Sequence, residues 1–156
     1  MSTDPFEPAV NAHSCALACL VSLCRDFGDP VSQQALIEHH KDDIDAWAER
    51  PGALTPYQFI SLSRAYLGTK AHIWVEYREW ILKYWNQPER IGGVIVSQCQ
   101  PVENGGRMTI DHCWRILEAS KDGMRLMNPR VGKAELALVD WGFLTERKAY
   151  ALIIGR

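Results

Sequence analysis

The sequence predicts an α+β fold, on three observations. Helix signals fill the chain up to Gly68, strand signals dominate after it, and the later strands meet in a tight turn that makes them antiparallel neighbours. No internal repeat, low-complexity tract or linker divides the chain. Residues 1–156 therefore read as a single domain, with an N-terminal helical half packed on a mostly antiparallel β-sheet half.

The first helix is set by Ser14-Cys15-Ala16-Leu17-Ala18-Cys19-Leu20-Val21. Ser14 is a favourable N-cap, its hydroxyl suited to accept from a free N–H of the first turn. Leu17, Leu20, Val21, Cys24 and Phe27 recur at spacings of three and four and give one apolar face. Gly28 suits the left-handed position that ends a helix. Ahead of it, residues 1–12 are polar with Pro5 and Pro8, and are expected to run extended over the surface.

Ser32 is the expected cap of a second helix through Leu36, Ile37 and His40. The run His39-His40-Lys41-Asp42-Asp43 reads as its solvated end. After the Arg50-Pro51-Gly52 loop, Thr55-Pro56-Tyr57-Gln58 combines an N-cap, a proline in the first turn and a glutamine at N3, which is a capping box. Phe59, Leu62, Ala65 and Tyr66 then make the apolar stripe of a helix that Gly68 ends.

Beyond Gly68 the pattern changes. Residues 71–75 and 93–97 read as strands, with an amphipathic helix from Arg78 to Trp85 between them. Residues 100–108, with Pro101 and Gly105-Gly106, read as a loop. Thr109 to Leu117 and Gly123 to Met127 flank Ser120-Lys121-Asp122-Gly123 as a hairpin. A short helix is expected over Leu136 to Phe143, and a last strand over Lys148 to Ile154.

Composition excludes several functions. A hydrophobic fraction of 47% and a charged fraction of 23% are those of a soluble globular protein. The net charge of −2 argues against a general electrostatic grip on nucleic acid or on an anionic membrane. No stretch approaches the roughly 18 apolar residues that a membrane span needs. Residues 1–13 lack the basic and apolar regions of a signal peptide, so the cytoplasm is the default compartment. Export by a leaderless route would leave no mark in the sequence. Five cysteines without an export signal do not suggest a disulfide framework.

Cys15 would sit at the first helical position, where the positive end of the helix dipole favours a thiolate. From the helix alone, the simpler reading is a small core residue. A nucleophilic thiol needs a base, and the base needs an orienting partner. Of the five histidines, His13 is too close in sequence to Cys15, and His39 and His40 lie in the polar run. His72 sits in a strand without an evident polar partner. His112 opens the hairpin strand Asp111-His112-Cys113-Trp114-Arg115-Ile116-Leu117, and the partner strand leads to Met127-Asn128-Pro129. Antiparallel partners lie about 5 Å apart, so the hairpin brings position 112 within reach of residues 127–132. Asn128 can then bond one imidazole nitrogen while the other faces Cys15, in the order Cys–His–Asn. Cys19, one turn inside the helix, reads as packing, and Cys99 and Cys113 as core residues of apolar strands. A metal site from His13, Cys15 and Cys19 lacks the second ligand pair that structural zinc requires, and no cofactor is expected.

These motifs resemble the C39 peptidase family of the papain-like cysteine peptidase clan. Its catalytic helix opens on Asp-Cys-Gly-x-Ala-Cys-Leu, which Ser14-Cys15-Ala16-Leu17-Ala18-Cys19-Leu20 resembles. Its second motif, a His followed by strand residues, a turn, a second strand and Asp-Pro, is similar to His112 to Leu117 followed by Leu126-Met127-Asn128-Pro129. The Leu54-Thr55 entry, the Ala65-Tyr66-Leu67-Gly68 ending and Leu138-Val139-Asp140-Trp141-Gly142 also fit, so the likeness covers most of the chain in order. It implies a papain-like fold with Cys15 as nucleophile, His112 as acid and base, and Asn128 as the residue that holds the ring. Papain-like enzymes carry a glutamine six positions before the cysteine to stabilise the oxyanion, and here that position is Ala9. Asn11 is the nearest amide that could donate instead, beside the Cys15 backbone N–H.

The expected function is therefore a stand-alone cysteine peptidase acting on a peptide or protein substrate, without the transporter that C39 domains accompany. The family's usual preference, cleavage after small residues, is implied by the likeness alone. The same triad would serve an amidase, deamidase or acyltransferase, including a delivered effector, because each passes through a thioester. A catalytically silent domain that holds a peptide in the cleft is the third reading, and Ala9 favours it.

Overall fold

The computed structural model describes residues 4–68, 71–75, 78–86, 91–101 and 108–155. Three helices come first: α1 (Cys15–Asp26), α2 (Gln33–His40) and α3 (Pro56–Leu67), with a 3₁₀ turn over Asp45–Ala48 between the last two. Then follow β1 (Ala71–Val75), α4 (Arg78–Trp85), β2 (Ile91–Pro101), β3 (Met108–Ser120), β4 (Gly123–Arg130), β5 (Lys133–Val139), α5 (Gly142–Arg147) and β6 (Tyr150–Gly155). The strands form one sheet in the order β1-β6-β2-β3-β4-β5, and every neighbouring pair is antiparallel. The α+β organisation expected from the sequence is present.

Local signals act as their chemistry requires. Thr55 Oγ1 accepts from the Gln58 N–H at 3.2 Å, and Gln58 Oε1 accepts from the Thr55 N–H at 2.9 Å, which completes the capping box of α3. Ser32 Oγ accepts from the Ala35 N–H at 3.1 Å and starts α2. Gly28 ends α1 at φ +78°, where the Asp29 N–H reaches the Cys24 carbonyl at 3.0 Å.

The sheet is covered on both faces, and strand alternation divides its side chains between two cores. Ile95, Cys113, Met127, Leu152 and Ile154 pack with Leu17, Leu20 and Leu23 of α1, with Leu36, and with Phe59 and Leu62. Val94, Val96, Ile116, Leu126, Ala151 and Ile153 face the other way, onto Ile81 and Leu144. The second layer, made by α4 and α5, was not part of the sequence expectation. Gly92 and Gly93 let α1 lie close on β2: a Cβ at Gly92 would meet the Phe27 ring at 2.1 Å, and one at Gly93 would meet Leu23 Cδ2 at 2.2 Å.

Several expectations are corrected. The helix expected over Leu136 to Phe143 is a strand as far as Val139, and the helix begins only at Gly142. The cause is a tight reversal at Val131-Gly132, with Gly132 at φ +73°, which folds residues 133–139 back onto β4 in an unbroken ladder. The residues around the expected 100–108 loop extend further as strand, to Pro101 and from Met108, and residues 102–107 lie outside the described residues. Residues 4–13 do not simply cross the surface. Ala9 is buried and forms a parallel bridge to Val131, with its N–H on the Arg130 carbonyl at 3.1 Å. Gln33, also buried, donates to Glu7 Oε2 at 2.8 Å and the Pro8 carbonyl at 2.7 Å, and accepts from the Val10 N–H at 3.2 Å.

An arginine lies in this core. Arg115 is 7% exposed; it donates to Ser22 Oγ at 2.6 Å and pairs with Asp26, both on α1. Ser22 Oγ in turn donates to the Pro5 carbonyl at 2.5 Å, so one cation ties sheet, helix and N-terminal segment together. Removing one member of such a pair leaves buried polar groups without partners. Arg115→Ala is expected to lower stability by about 3 kcal/mol, read as a lower urea midpoint at unchanged slope. An unchanged midpoint would show that the network holds nothing.

Candidate active site

α1 brings its N-terminal end against β3, and Cys15 sits at that junction, 6% exposed. The helix begins at Cys15, as expected, but Ser14 does not cap it. The fully buried Ser14 hydroxyl turns back and accepts from the N–H groups of Val10 at 3.0 Å and Asn11 at 3.2 Å. The Val10 N–H is shared with Gln33 Oε1, and Ser14 also satisfies the Asn11 N–H where the chain enters the interior. The first turn of α1 is left without a side-chain cap. The loop before α3 closes over this point. Gly52, at φ +95°, lies so near that a Cβ would come within 3.0 Å of Ser14 Cβ.

On the sheet side, the β2–β3 register pairs Gln98 with His112 and Cys99 with Ile110, so Asp111 is an extra residue. Such a bulge twists a strand locally and re-aims its side chains. It explains why Ile110 and Cys113, three residues apart, both join the core beneath α1.

The structure brings the three expected residues together. His112 Nε2 lies 2.6 Å from Asn128 Oδ1. With that oxygen accepting, Nε2 carries the proton, and Nδ1 is left to face Cys15. Asn128 lies within β4, opposite Glu135 of β5. The His112 ring is also braced edge-on by Trp114, with centroids 4.5 Å apart, and Trp114 by Phe143 at 5.1 Å. The Arg147 guanidinium stands 3.8 Å over the Phe143 ring. Trp114 is a bracing residue that sequence reasoning left undecided; the signal was its i+2 position on the strand of His112.

Electrostatics separates Cys15 from the other cysteines. A hydrogen bond from the Cys113 thiol does most to lower its pKa; burial opposes, and the hydrogen bond and charge of His112 with the Cys113 N–H add to the lowering. The net effect holds Cys15 well below the usual thiol value. Burial drives the others up: Cys24 and Cys99 to about 11, and Cys19 and Cys113 well above the ordinary range. For His112, burial works to lower the pKa, but the hydrogen bond and charge of Cys15, with Asn128 and Asp111, outweigh it and raise the value. Thiol down and imidazole up describe a thiolate–imidazolium pair. Cys15 Sγ lies 3.9 Å from the Asp111 carbonyl oxygen, within reach for the thiol to donate.

Other expectations fare differently. Cys19 is fully buried as packing. Cys113 is buried too, but it is also the largest influence that lowers the Cys15 pKa, and its Sγ meets Ser97 Oγ at 3.2 Å. Asn11 belongs to the turn that enters α1: its Oδ1 accepts from the His13 N–H at 2.7 Å. Ala9, at the position of the expected glutamine, offers only a methyl group, and its N–H is engaged with Arg130. His40 is not simply solvated, since its Nε2 meets the Tyr66 hydroxyl at 2.8 Å and Nδ1 faces Asp43 at 3.5 Å. The side chain of His72 lies outside the described residues. No group of three metal-ligating side chains is assembled among the described residues. Nor is any helix among them long and apolar enough to cross a membrane. A depression of about 450 Å³ lies at the β3–β4 turn, lined by Ser120, Met124, Leu138 and Asp140. It is some eight residues, or about 25 Å, along β3 from His112 and takes no part in this chemistry.

Comparison of the chain with protein-family models, with curated proteins and with solved structures gives no match. The site itself defines a class: a cysteine at a helix N-terminus, facing a strand histidine that is held by an asparagine.

Iodoacetamide alkylation of Cys15, read by mass spectrometry against pH, is expected to proceed well below the ordinary thiol range and faster than at the other cysteines. In His112→Ala the midpoint should move up. An ordinary thiol titration in the wild type would remove the pair.

Proposed function

We propose that this chain is a cysteine hydrolase of papain-like, C39-like kind that cleaves peptide bonds in a peptide or protein substrate. The observation that carries the reading is the His112 ring, bonded to Asn128 through Nε2 and interacting with Cys15 on its other side. The Cys15 thiolate attacks the carbonyl carbon of the scissile bond. His112, as imidazolium, protonates the departing amine, and the neutral ring then takes a proton from the water that hydrolyses the thioester. Asn128 keeps the ring aligned through both steps. The oxyanion would be met by the Cys15 backbone N–H, at a helix start that no side chain caps, and by Asn11 Nδ2, whose amide is oriented by the bond from the His13 N–H to Oδ1.

The same arrangement serves an amidase, deamidase or acyltransferase, which differ only in the acyl donor or in what resolves the thioester. One observation favours a catalytically silent peptide-binding domain instead: the buried methyl of Ala9 where the family places its donor.

Turnover of a peptide library separates these readings. The rate should rise as pH climbs through the lowered Cys15 pKa, because the thiolate forms, and fall as pH passes the raised His112 pKa, because the imidazolium acid is lost. Cys15→Ala should abolish turnover, and His112→Ala should lower it about 10²–10⁴-fold. Peptide binding without turnover, unchanged by Cys15→Ala, would establish the silent domain.

Asn11→Ser keeps an acceptor for the His13 N–H but removes the amide donor. It should cost about 10²–10³ in kcat with little change in KM. An unchanged kcat would leave the oxyanion to the backbone alone.

A further inference from the structure

β5 ends the sheet on one side and leaves an open edge. A bridge from Ala9 reaches only the turn before it, at Val131, and no described strand pairs with the outer side of residues 133–139. Alternate residues of an edge strand turn their N–H and C=O groups outward, ready to pair with another strand. Proteins commonly blunt such edges with proline, a bulge or charged side chains. From Leu136 to Val139, β5 has none of these: the stretch is uncharged and free of proline, and its ladder to β4 runs without a shift in register. Two of the large apolar side chains that stand exposed among the described residues lie here, Leu136 and Leu138, the latter 71% exposed.

Strand alternation fixes where these side chains stand. Ala134 packs against the core under α1, whereas Ala137 and Val139 pack against the core under α4 and α5. Leu136 and Leu138 therefore share the α1 face with Ala134 and make an apolar stripe along the edge. The two ends of the strand differ in charge. Arg130 and Lys133 stand at its start, with Glu135 as their shared counter-ion. Its far end opens on the depression of about 450 Å³, where the carboxylates of Glu118, Asp122 and Asp140 outnumber Arg125.

We propose that β5 is a self-association edge, where a second copy of this chain adds its own β5 antiparallel and two six-stranded sheets become one. Directly opposed residues of an antiparallel pair share a face, so a two-fold axis across the edge must pass through a residue, not between two. Placed at Leu136, the middle of Lys133–Val139, it pairs the whole strand. Leu136 then meets the partner's Leu136, and Ala134 meets the partner's Leu138, so the stripe is covered by its own image. The same register sets Lys133 opposite the partner's Val139, with the partner's Asp140 next in line. A basic start thus meets an acidic end, and does so twice. Parallel pairing would instead set like ends together. The contact lies two strands from His112 and does not rest on the hydrolase reading.

The test is light scattering on the full chain, over a wide range of concentration, in which the wild type should rise from monomer to dimer mass. Leu138→Lys changes an exposed position and sets a cation beside the partner's basic start. It should raise the dissociation constant about tenfold, because the contact occurs twice. Lys133→Glu should weaken the dimer, and adding Asp140→Lys should restore it, since opposite charges then face each other again. Leu136→Cys reads the register: opposed Cα atoms lie about 4.5–5.5 Å apart, within disulfide reach, so mild oxidation should link two chains where the wild type stays unlinked. Lys133→Cys, about 20 Å from its own image, should not link. A monomer at every concentration would overturn the proposal and leave the edge to a strand of another protein. So would a dimer that Leu138→Lys leaves unchanged, or one that links through Lys133→Cys as readily as through Leu136→Cys.

Discussion

The contact on which the rest of the structure depends is the seating of the α1 N-terminus against the bulge of β3. It places one sulfur among a thiol, a backbone N–H and an imidazole, and these together overcome the cost of burial. Burial alone would make Cys15 another inert thiol, as it does for Cys19 and Cys24. The lowered pKa of Cys15 is a matter of which groups surround the sulfur, not of exposure.

The surrounding architecture holds that contact in register. Gly92 and Gly93 allow the far half of α1 to lie close on β2, and Arg115 pins that same C-terminal half to the sheet through Ser22 and Asp26. At the near end, Ser14 and Gln33 gather the N–H groups and carbonyls of residues 8–11, and Ala9 clips that segment to the β4–β5 turn close to Asn128. The helix that carries Cys15 and the strand that carries Asn128 are thereby joined by a short run of chain. Polar groups buried in this way are satisfied only in one arrangement, which favours a rigid site over an adaptable one.

Much of this was legible in the sequence wherever the signal was local. The periodicity of α1, the capping box at Thr55, the glycine stops and the Ser120–Gly123 hairpin each state their own geometry. The pairing of His112 with Asn128 followed from that hairpin. What was not legible depended on distant partners. The bulge at Asp111 exists only in the register between β2 and β3, so Cys113 read as an ordinary core residue. Ser14 carries the composition of a cap, yet buried N–H groups of the preceding turn claim its hydroxyl. The inward-facing Arg115 breaks the apolar pattern of its strand, and its partners lie some ninety residues away. The Val131-Gly132 reversal was a readable turn signal; overlooking it converted β5 into a helix.

The central claim, a thiolate–imidazolium pair between Cys15 and His112, is tested most directly by NMR titration of the His112 ring in the wild type and in Cys15→Ser. The account predicts an imidazole that stays protonated above its ordinary value of 6.5 in the wild type and titrates lower once the thiolate is gone. A ring that titrates at the same, ordinary pH in both proteins would contradict it.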